Sequence, residues 1–242
     1  MLKKFFLFLL FFESFFTQAQ SPYKPLTWAN EAVILGGSGV GLGISFSLSS
    51  KTKGLTAEQI AALNSDKIPA FDQFSLRHYS IHAQKTSDIF LVSSVALPLF
   101  LLADSRIREN AGQTGGLVGE TILVNFALTN LVKEIVKRPR PFVYNPNAPM
   151  DAKTQRDARK SFFSGHTSTT AAMSFVTAKI WSDYNPDSKW QPAVWAAVVA
   201  VPMVTGYLRM KGGKHFLSDV LVGFVVGSAT SFLIPELHKI RQ

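Results

Sequence analysis

The stretch Ser164-Gly165-His166 opens a helix-like, largely apolar run that continues from Thr167 to Trp181. Serine is a favoured helix N-cap, and the first N–H groups of a helix point along the positive end of its dipole. Such a terminus can bind a phosphate, and His166 adds a titratable imidazole at the same place. In isolation a capping or surface histidine would look the same, so the prediction of a phosphate site depends on two further clusters.

The first of these clusters is Lys133 to Pro141, with the sequence KEIVKRPRP. Pro139 disfavours helical geometry at the residue before it, so Lys133 is expected in the last helical turns and Arg140 on the loop just beyond. An arginine fork and a lysine point charge together suit the oxygens of a phosphoryl group. A positive cluster at a membrane boundary would explain the other basic residues, but not an arginine held between two prolines.

The second cluster follows Arg209, where a glycine-rich turn leads to His215 and then to Asp219. If His215 opens the last helix, the imidazole and the carboxylate lie one turn apart on the same face. A carboxylate in that position can orient an imidazole and stabilise the positive charge that it gains as a nucleophile. A local capping pair is the alternative interpretation of these two residues.

Together the three clusters resemble the motifs of the type 2 phosphatidic acid phosphatase (PAP2) superfamily, which also contains bacterial class A acid phosphatases and vanadium haloperoxidases. Those motifs are Lys, six residues, Arg-Pro; then Pro-Ser-Gly-His; then Ser-Arg, five residues, His, three residues, Asp. The matching residues are Lys133, Arg140 and Pro141; Ser164, Gly165 and His166; and Arg209, His215 and Asp219. The resemblance extends from Leu117 to Pro235. It departs at Phe163, where proline is usual, and at Leu208, where serine is usual.

The resemblance implies a role for each matched residue. His215 would be the nucleophile that forms a phosphohistidine, oriented by Asp219, while His166 would protonate the leaving alkoxide and then activate water. Binding of the phosphoryl oxygens would fall to Lys133, Arg140, Ser164, the Gly165 N–H and Arg209.

No metal or other cofactor is expected, because the phosphatases of this family need none. The sequence agrees with that expectation. His78 and His82 lie one turn apart, but no third ligand is grouped with them.

The composition places this chemistry at a membrane. The chain has 242 residues and a net charge of +9, yet 47% of its residues are hydrophobic and only 17% are charged. A basic nucleic-acid-binding protein normally has a hydrophilic body, so we expect an anionic lipid phosphate and membrane lipid as partners and no nucleic acid. With 0 Cys there is no cysteine nucleophile.

Six apolar blocks predict an all-α helical bundle of about six transmembrane helices with a PAP2/haloperoxidase-like core. A soluble bundle with equally apolar helices is the alternative. The blocks are Trp28 to Ser50, Asp88 to Leu102, Leu117 to Val132, Thr167 to Trp181, Pro192 to Leu208 and Val220 to Pro235.

The chain is expected to divide into three parts. Residues 1–19 are typical of a signal peptide cleaved near Ala19, or of an uncleaved anchor, because Lys3 and Lys4 precede a Phe/Leu run. Residues 20–85 form an N-terminal helix and a polar interfacial segment, in which Thr56 is a helix cap. Residues 86–242 form the catalytic bundle.

Small and polar residues within the apolar blocks predict close contacts between helices. Glycine pairs four residues apart allow two helices to approach each other closely, and buried polar groups must face other helices rather than lipid. The pairs are Gly37/Gly41, Gly39/Gly43 and Gly223/Gly227, and the polar groups are Glu120, Asn125 and Asn130.

Residues around the motifs favour a phosphorylated lipid as substrate, although its identity stays open. Aromatic and basic side chains suit a head group that rises out of a bilayer. They are Phe142, Tyr144, Phe162 and Phe163, with Lys153, Arg156, Arg159 and Lys160. Three alternatives remain: a non-specific periplasmic acid phosphatase, a vanadate-dependent haloperoxidase and a non-catalytic phosphate-binding membrane protein. The oligomeric state is not predicted.

Two lines of reasoning disagree about which membrane face carries the site. The resemblance implies a bacterial inner membrane with the site facing the periplasm. The positive-inside rule, and a cleaved signal followed by six spans, both favour the cytoplasm. We expect the periplasmic face, because several of the charges belong to the anion site itself and the glycine-rich first helix need not span.

Overall fold

The computed structural model describes residues 21–240, which fold as an all-α bundle. It has six α-helices of 16 residues or more, as the apolar blocks predict. They are α1 (Trp28–Lys51), α2 (Ile81–Ala96), α3 (Ala111–Val136), α4 (Gly165–Tyr184), α5 (Gln191–Lys211) and α6 (Leu217–His238). The predicted all-α fold class is therefore confirmed, but helix α4, one of the six expected spans, is not among the segments that are long and apolar enough to cross a membrane. The segment 1–19, for which a signal peptide is expected, lies outside the described residues.

Short helices fill the connections between these long ones. The α-helical turns are Ala57–Ala61, Ser105–Glu109, Pro141–Tyr144 and Met150–Thr154, and the 3-10 turns are Ser65–Lys67, Ala70–Arg77, Leu97–Ala103 and Arg156–Arg159. Thr56 caps the first of them, accepting the Gln59 N–H at 3.2 Å, as expected. Between residues 21 and 240 the only β pairing is an isolated antiparallel bridge from Tyr23 to Lys239.

Five segments are long and apolar enough to cross a membrane. They are Glu31–Lys51, Ile81–Ala103, Ala111–Tyr144, Gln191–Lys211 and Leu217–His238. The glycine-rich helix α1 is one of them and packs along α3. Its length therefore gives no support to the idea that the first helix does not span.

Helix α4 occupies the centre of the bundle, where α2, α3, α5 and α6 all contact it. Thirteen of its 20 residues are buried, and many of them are serine or threonine. Several of their hydroxyl groups find partners inside the bundle: Thr170 Oγ1 donates to the His166 carbonyl at 2.9 Å, and Ser168 Oγ lies 3.2 Å from Thr129 Oγ1. Small polar side chains allow the surrounding helices to approach α4 closely.

Glycines on α6 make the closest of these approaches, which confirms the predicted packing through Gly223 and Gly227. A Cβ on Gly223 would lie 2.6 Å from the Ser164 carbonyl oxygen, and a Cβ on Gly227 would lie 2.1 Å from that of Ser168. The corresponding prediction for α1 is wrong. Gly41 alone among its paired glycines faces a neighbour, Ala127 at 3.8 Å, while residues 37, 39 and 43 meet nothing within 4 Å.

Three loops meet at the end of the bundle where α4 begins. After α3 the chain turns through Lys137, in the left-handed region at φ 49°, and the Arg140 N–H then donates to the Ala158 carbonyl at 2.8 Å. The Phe142 N–H donates to the Gly213 carbonyl at 2.9 Å. Gly213 itself has φ 67°, and a Cβ there would lie 2.4 Å from the His78 carbonyl oxygen. These contacts join the loops that carry the three motifs.

Substituting Gly227→Ala should destabilise the bundle, because its new methyl group would overlap the α4 backbone. Overpacking of this kind typically costs about 1–3 kcal/mol. Gly36→Ala is the matched control, since a Cβ there meets nothing within 4 Å and alanine favours the helix. Thermal unfolding in detergent should show a lower midpoint for the first variant only. Equal midpoints would contradict the close packing of α4 against α6.

Candidate active site

A cavity of about 520 Å³ opens where the three loops meet. Most of the residues that the sequence predicts for the site line this cavity, namely Lys133, Arg140, Gly165, His166, Arg209 and His215. The other two are fully buried behind its wall: Ser164 and Asp219 each have 0% exposed surface. Ser164 caps α4 as predicted, accepting the Thr167 N–H at 3.3 Å.

His215 is held as a neutral imidazole with one unprotonated nitrogen at the cavity. Its Nδ1–H donates to the Ser161 carbonyl at 2.7 Å, which assigns the tautomer and leaves a lone pair on Nε2. Arg140 Nη1 donates to that lone pair at 3.1 Å. Burial, together with the charges of Arg140 and Lys133, lowers the pKa of His215 well below its ordinary value. The imidazole therefore stays unprotonated at neutral pH.

Asp219 acts on His215 through the surrounding turn rather than by a direct hydrogen bond. Its Oδ2 lies 3.7 Å from His215 Nδ1, beyond hydrogen-bond distance. The same oxygen accepts the Phe216 N–H at 2.9 Å and the Ser161 hydroxyl at 2.5 Å. Asp219 thus holds both the residue after His215 and the residue whose carbonyl orients the imidazole.

Arg138, one of the basic residues that a charge cluster at the membrane boundary would also explain, is a partly buried partner of this network. Its guanidinium donates to Asp219 Oδ1 at 2.6 Å and to Asp72 Oδ2 at 2.8 Å, and it stacks 4.0 Å from the centre of the Phe216 ring. Asp72 in turn accepts the N–H of Ser218, in the first turn of α6, at 2.8 Å. No spacing rule relates Asp72 to the motifs, so the sequence carried no signal for it.

The three predicted phosphate-binding cations are held in place before any anion binds. Lys133 Nζ donates to the Lys160 carbonyl at 2.8 Å, and Arg140 donates to the Lys214 carbonyl at 2.9 Å. Arg209 Nη1 donates to Ser87 Oγ at 3.2 Å, while its buried Nε has no partner among the described residues. Hydrogen-bond donors that are held in place, and of which one still lacks an acceptor, are suited to binding the oxygens of a phosphoryl group.

Two carboxylates in the cavity were missed from the sequence. His166 Nε2–H donates to Asp88 Oδ1 at 2.7 Å, and Arg140 Nη2 donates to Asp157 Oδ1 at 2.8 Å. His166 does not lie in any of the five segments that are long and apolar enough to cross a membrane. Burial, with the charge of Arg209, lowers its pKa to about 4, while Asp88 acts in the opposite direction.

One wall of the cavity is apolar and faces away from the loops. Leu91 of α2 and Phe126 of α3 line it beside Thr129, and the Phe126 side chain is half exposed. The loop side differs from the expected basic patch, since Lys153 is buried and Lys160 pairs with Glu134. The cavity is thus lined by charged and polar residues on the loop side and by apolar residues of α2 and α3, two helices that are long and apolar enough to cross a membrane.

Comparison with known proteins agrees with this architecture. A lipid A 4'-phosphatase of Porphyromonas gingivalis is 26% identical over 179 residues, which are 73% of this chain and 70% of that protein. A probable diacylglycerol pyrophosphate phosphatase 1 of Schizosaccharomyces pombe is 24% identical over 201 residues, or 69% and 72% of the two chains. The crystal structure of a transmembrane PAP2-type phosphatidylglycerolphosphate phosphatase from Bacillus subtilis has the same fold. Its TM-score is 0.52 at 21% identity, covering 81% of this chain and 93% of that one.

The fold and the cavity define a helical membrane protein with a cavity lined by histidine, arginine and lysine. Residues 114–242 match the PAP2 superfamily, so more than half of the chain is covered, including all three motifs. The protein belongs to the PAP2 superfamily.

Substituting Asp157→Asn should strengthen phosphate binding in the cavity. The Asp157 carboxylate occupies the Arg140 fork, so an incoming phosphate must displace a competing anion. Removing that charge should lower the Kd for inorganic phosphate by about tenfold, as expected for one lost ion pair of about 1.4 kcal/mol. Calorimetric titration in detergent measures this, with Asp151→Asn, an exposed residue of the same loop, as control. Weaker binding by the first variant would mean that Asp157 positions Arg140 instead of competing for it.

Proposed function

We propose that the protein hydrolyses a lipid phosphate monoester or pyrophosphate through a phosphohistidine on His215, with no metal ion in the active site. The observation that carries the proposal is the unprotonated His215 Nε2, whose lone pair accepts a hydrogen bond from Arg140 in a cavity shared with His166 and the other two cations. Relatives of this chain that are named as lipid phosphatases support the same reaction class.

In the first step, His215 Nε2 attacks phosphorus in line with the lipid oxygen. A bond forms between nitrogen and phosphorus while the bond from phosphorus to the lipid oxygen breaks, and protonated His166 gives its proton to that oxygen. Arg140 Nη1, which lies 3.1 Å from Nε2, transfers its hydrogen bond to a phosphoryl oxygen. Arg209 and Lys133 stabilise the negative charge on the other oxygens.

In the second step, water replaces His215 on phosphorus. His166, now neutral, takes a proton from the attacking water, and the bond between Nε2 and phosphorus breaks to release inorganic phosphate. Asp88 lies 2.7 Å from His166 Nε2 and favours the protonated imidazole that each cycle requires. The cycle ends with His215 neutral and His166 carrying the proton taken from water, which is the state that the next first step uses. Because the pKa of His166 is lowered to about 4 without substrate, this state requires the negative charge of a bound phosphate beside the imidazole.

The apolar wall of the cavity favours a lipid over a soluble phosphate. A lipid whose phosphate contacts Arg140 could lay its chains through the opening beside Leu91 and Phe126 without leaving the bilayer. The exposed Arg156 is available to the head group. We do not assign one lipid, because the cavity contacts the phosphate and the nearby chain rather than a distinctive head group.

For the location we propose a bacterial inner membrane with the cavity on the periplasmic face. Many positive charges at this end are already paired, as Arg138 is with Asp72 and Asp219, so they contribute little to the positive-inside rule. The order of the helices also determines on which membrane face residues 21–26 must lie. Residues 21–26 lie near α6's end, at the opposite end of the bundle from the cavity. A periplasmic cavity therefore requires that these residues stay cytoplasmic, which is incompatible with periplasmic cleavage near Ala19.

Single cysteines should distinguish the two membrane faces. The chain has 0 native cysteines, so Thr154→Cys on the cavity side and Glu109→Cys on the other side, both exposed, give matched probes. In intact cells an impermeant maleimide should label position 154 and not position 109. Lysed cells, in which both positions should react, are the control. Labelling at 109 alone would place the cavity in the cytoplasm and restore the cleaved-signal topology.

Replacing either histidine should arrest the reaction at a different stage. In detergent with chelator present, the wild type should release phosphate from phosphatidic acid or a polyprenyl pyrophosphate faster than from a soluble aryl phosphate. His215→Ala should lower turnover by at least about 10³-fold, because the nucleophile is lost. His166→Ala should give a burst of about one aryl alcohol per chain and an alkali-stable phosphoenzyme, because the second step lacks its base.

The exposed His82 provides the matched control, and His82→Ala should behave as wild type. Turnover with no trappable phosphoenzyme would contradict the phosphohistidine mechanism. Fastest hydrolysis of the aryl phosphate would favour a general acid phosphatase. Phosphate binding without turnover on any substrate would favour a non-catalytic protein, and halide oxidation by peroxide after vanadate loading would favour a haloperoxidase.

A further inference from the structure

Three buried residues from three different helices meet at the end of the bundle away from the cavity. Glu31 lies near the start of α1, Glu120 lies in α3 and His238 ends α6, and their exposed fractions are 7%, 5% and 4%. Each offers a ligand atom within 4.8 Å of the other two. The three residues are separated by 89 and 118 positions in the sequence, so no motif with a short spacing could predict this cluster.

The hydrogen bonding of His238 directs a lone pair at the two carboxylates. Its Nδ1–H donates to the Ile234 carbonyl at 2.8 Å, which leaves Nε2 as the acceptor in the neutral ring. Nε2 lies 3.2 Å from both oxygens of Glu31 and 3.6 Å from Glu120 Oε2. A lone pair and two carboxylates repel one another, so at least one proton or cation must lie between them.

A single proton cannot satisfy all three groups. A proton on Nε2 would be donated to Glu31, and Glu120 Oε2 would stay without a hydrogen-bond partner, as it is among the described residues. A buried, unpaired carboxylate oxygen is costly. A metal ion between the three groups would instead contact each of them.

The distances suit a small four-coordinate ion. Bonds of 2.0–2.2 Å in tetrahedral geometry place ligand atoms about 3.3–3.6 Å apart, and the observed separations from Nε2 are 3.2 and 3.6 Å. A metal-bound histidine usually donates its other N–H to a carbonyl or carboxylate, as His238 does to Ile234.

We propose that Glu31, Glu120 and His238 bind one divalent transition-metal ion, with Zn²⁺ as the first candidate. Two carboxylates and a neutral imidazole carry a net charge of −2, which such an ion neutralises. Nitrogen and oxygen ligands without sulfur suit this class of metal. A neighbouring cavity of about 370 Å³, lined by both glutamates and by Gly116 and Gly119, gives access and room for a water as fourth ligand.

The ion would act on stability and not on phosphate chemistry. At 1.5 Å per residue along α6, His238 lies about 28 Å from Asp219, so the ion is remote from the cavity. It would join α1, α3 and α6 at this end of the bundle. The proposal does not depend on the proposed phosphatase activity, and each can fail without the other.

Metal content and thermal stability test the proposal directly. Protein purified without a polyhistidine tag, loaded with Zn²⁺ and desalted, should retain about one zinc per chain by elemental analysis. Chelator should lower its unfolding midpoint by several degrees and added Zn²⁺ should restore it. Glu120→Gln and His238→Asn should retain no zinc and should not respond to either addition. Glu109→Gln and His82→Asn, both exposed, are the matched controls and should behave as wild type.

Cobalt provides a second measurement that needs only the wild type, should the variants fail to fold. Co²⁺ in a four-coordinate nitrogen and oxygen site should give visible absorption that saturates at one ion per chain and is displaced by Zn²⁺. No retained zinc and no such absorption would overturn the proposal and favour a protonated His238 with a proton shared by the two glutamates. Zinc lost equally from the His82→Asn control would show surface binding only and would also overturn it.

Discussion

The close contact between α4 and α6 is the constraint on which the active site depends. Gly223 leaves room for the backbone at Ser164, and the Ser164 N–H donates to the Asp219 carbonyl at 3.0 Å. The cap of one helix and the first turn of the other thereby form a single unit. Since His166 follows that cap and His215 precedes that turn, the distance between the two imidazoles is set by a glycine that takes no part in the chemistry.

Electrostatics explain why this unit must be rigid. Arg140, Arg209 and Lys133 repel one another, and they lower the proton affinity of the imidazole between them. Backbone carbonyls and the carboxylates of Asp88 and Asp157 hold the cations until a phosphate replaces part of that negative charge. Binding of an anionic substrate therefore relieves a repulsion already present in the protein, which favours phosphate over neutral ligands.

The sequence predicted the parts of the site that follow local rules. Ser164 as a helix cap, Arg140 on the loop after a proline, and six long helices all depend on neighbours within a few residues. Asp88, Asp72 and the Glu31, Glu120 and His238 cluster could not be predicted in this way, because each acquires its role from a helix distant in the chain. Arg138 was not predicted to belong to the site for the same reason: its partners are Asp72 and Asp219, and only the fold brings them together.

The glycines show that one spacing can have two outcomes. Pairs on α6 contact the backbone of α4, while most of those on α1 face open space, although both sets repeat every four residues. What differs is the neighbour. Helix α4 offers small hydroxyl side chains that permit a close approach, whereas α1 lies at the edge of the bundle with α3 as its main contact.

The polar character of α4 has a consequence for how the protein is made. With its serine and threonine hydroxyls and Lys179, this helix is poorly suited to partition into lipid alone, unlike the five apolar spans around it. Helix α3 covers part of its polar face through Thr129 and Asn125, and the remainder becomes covered when α5 and α6, which are synthesised later, pack against it. The helix that carries His166 must therefore remain in the translocon or against earlier helices until the rest of the chain emerges. The catalytic centre is thus among the last parts of the molecule to assemble during biosynthesis.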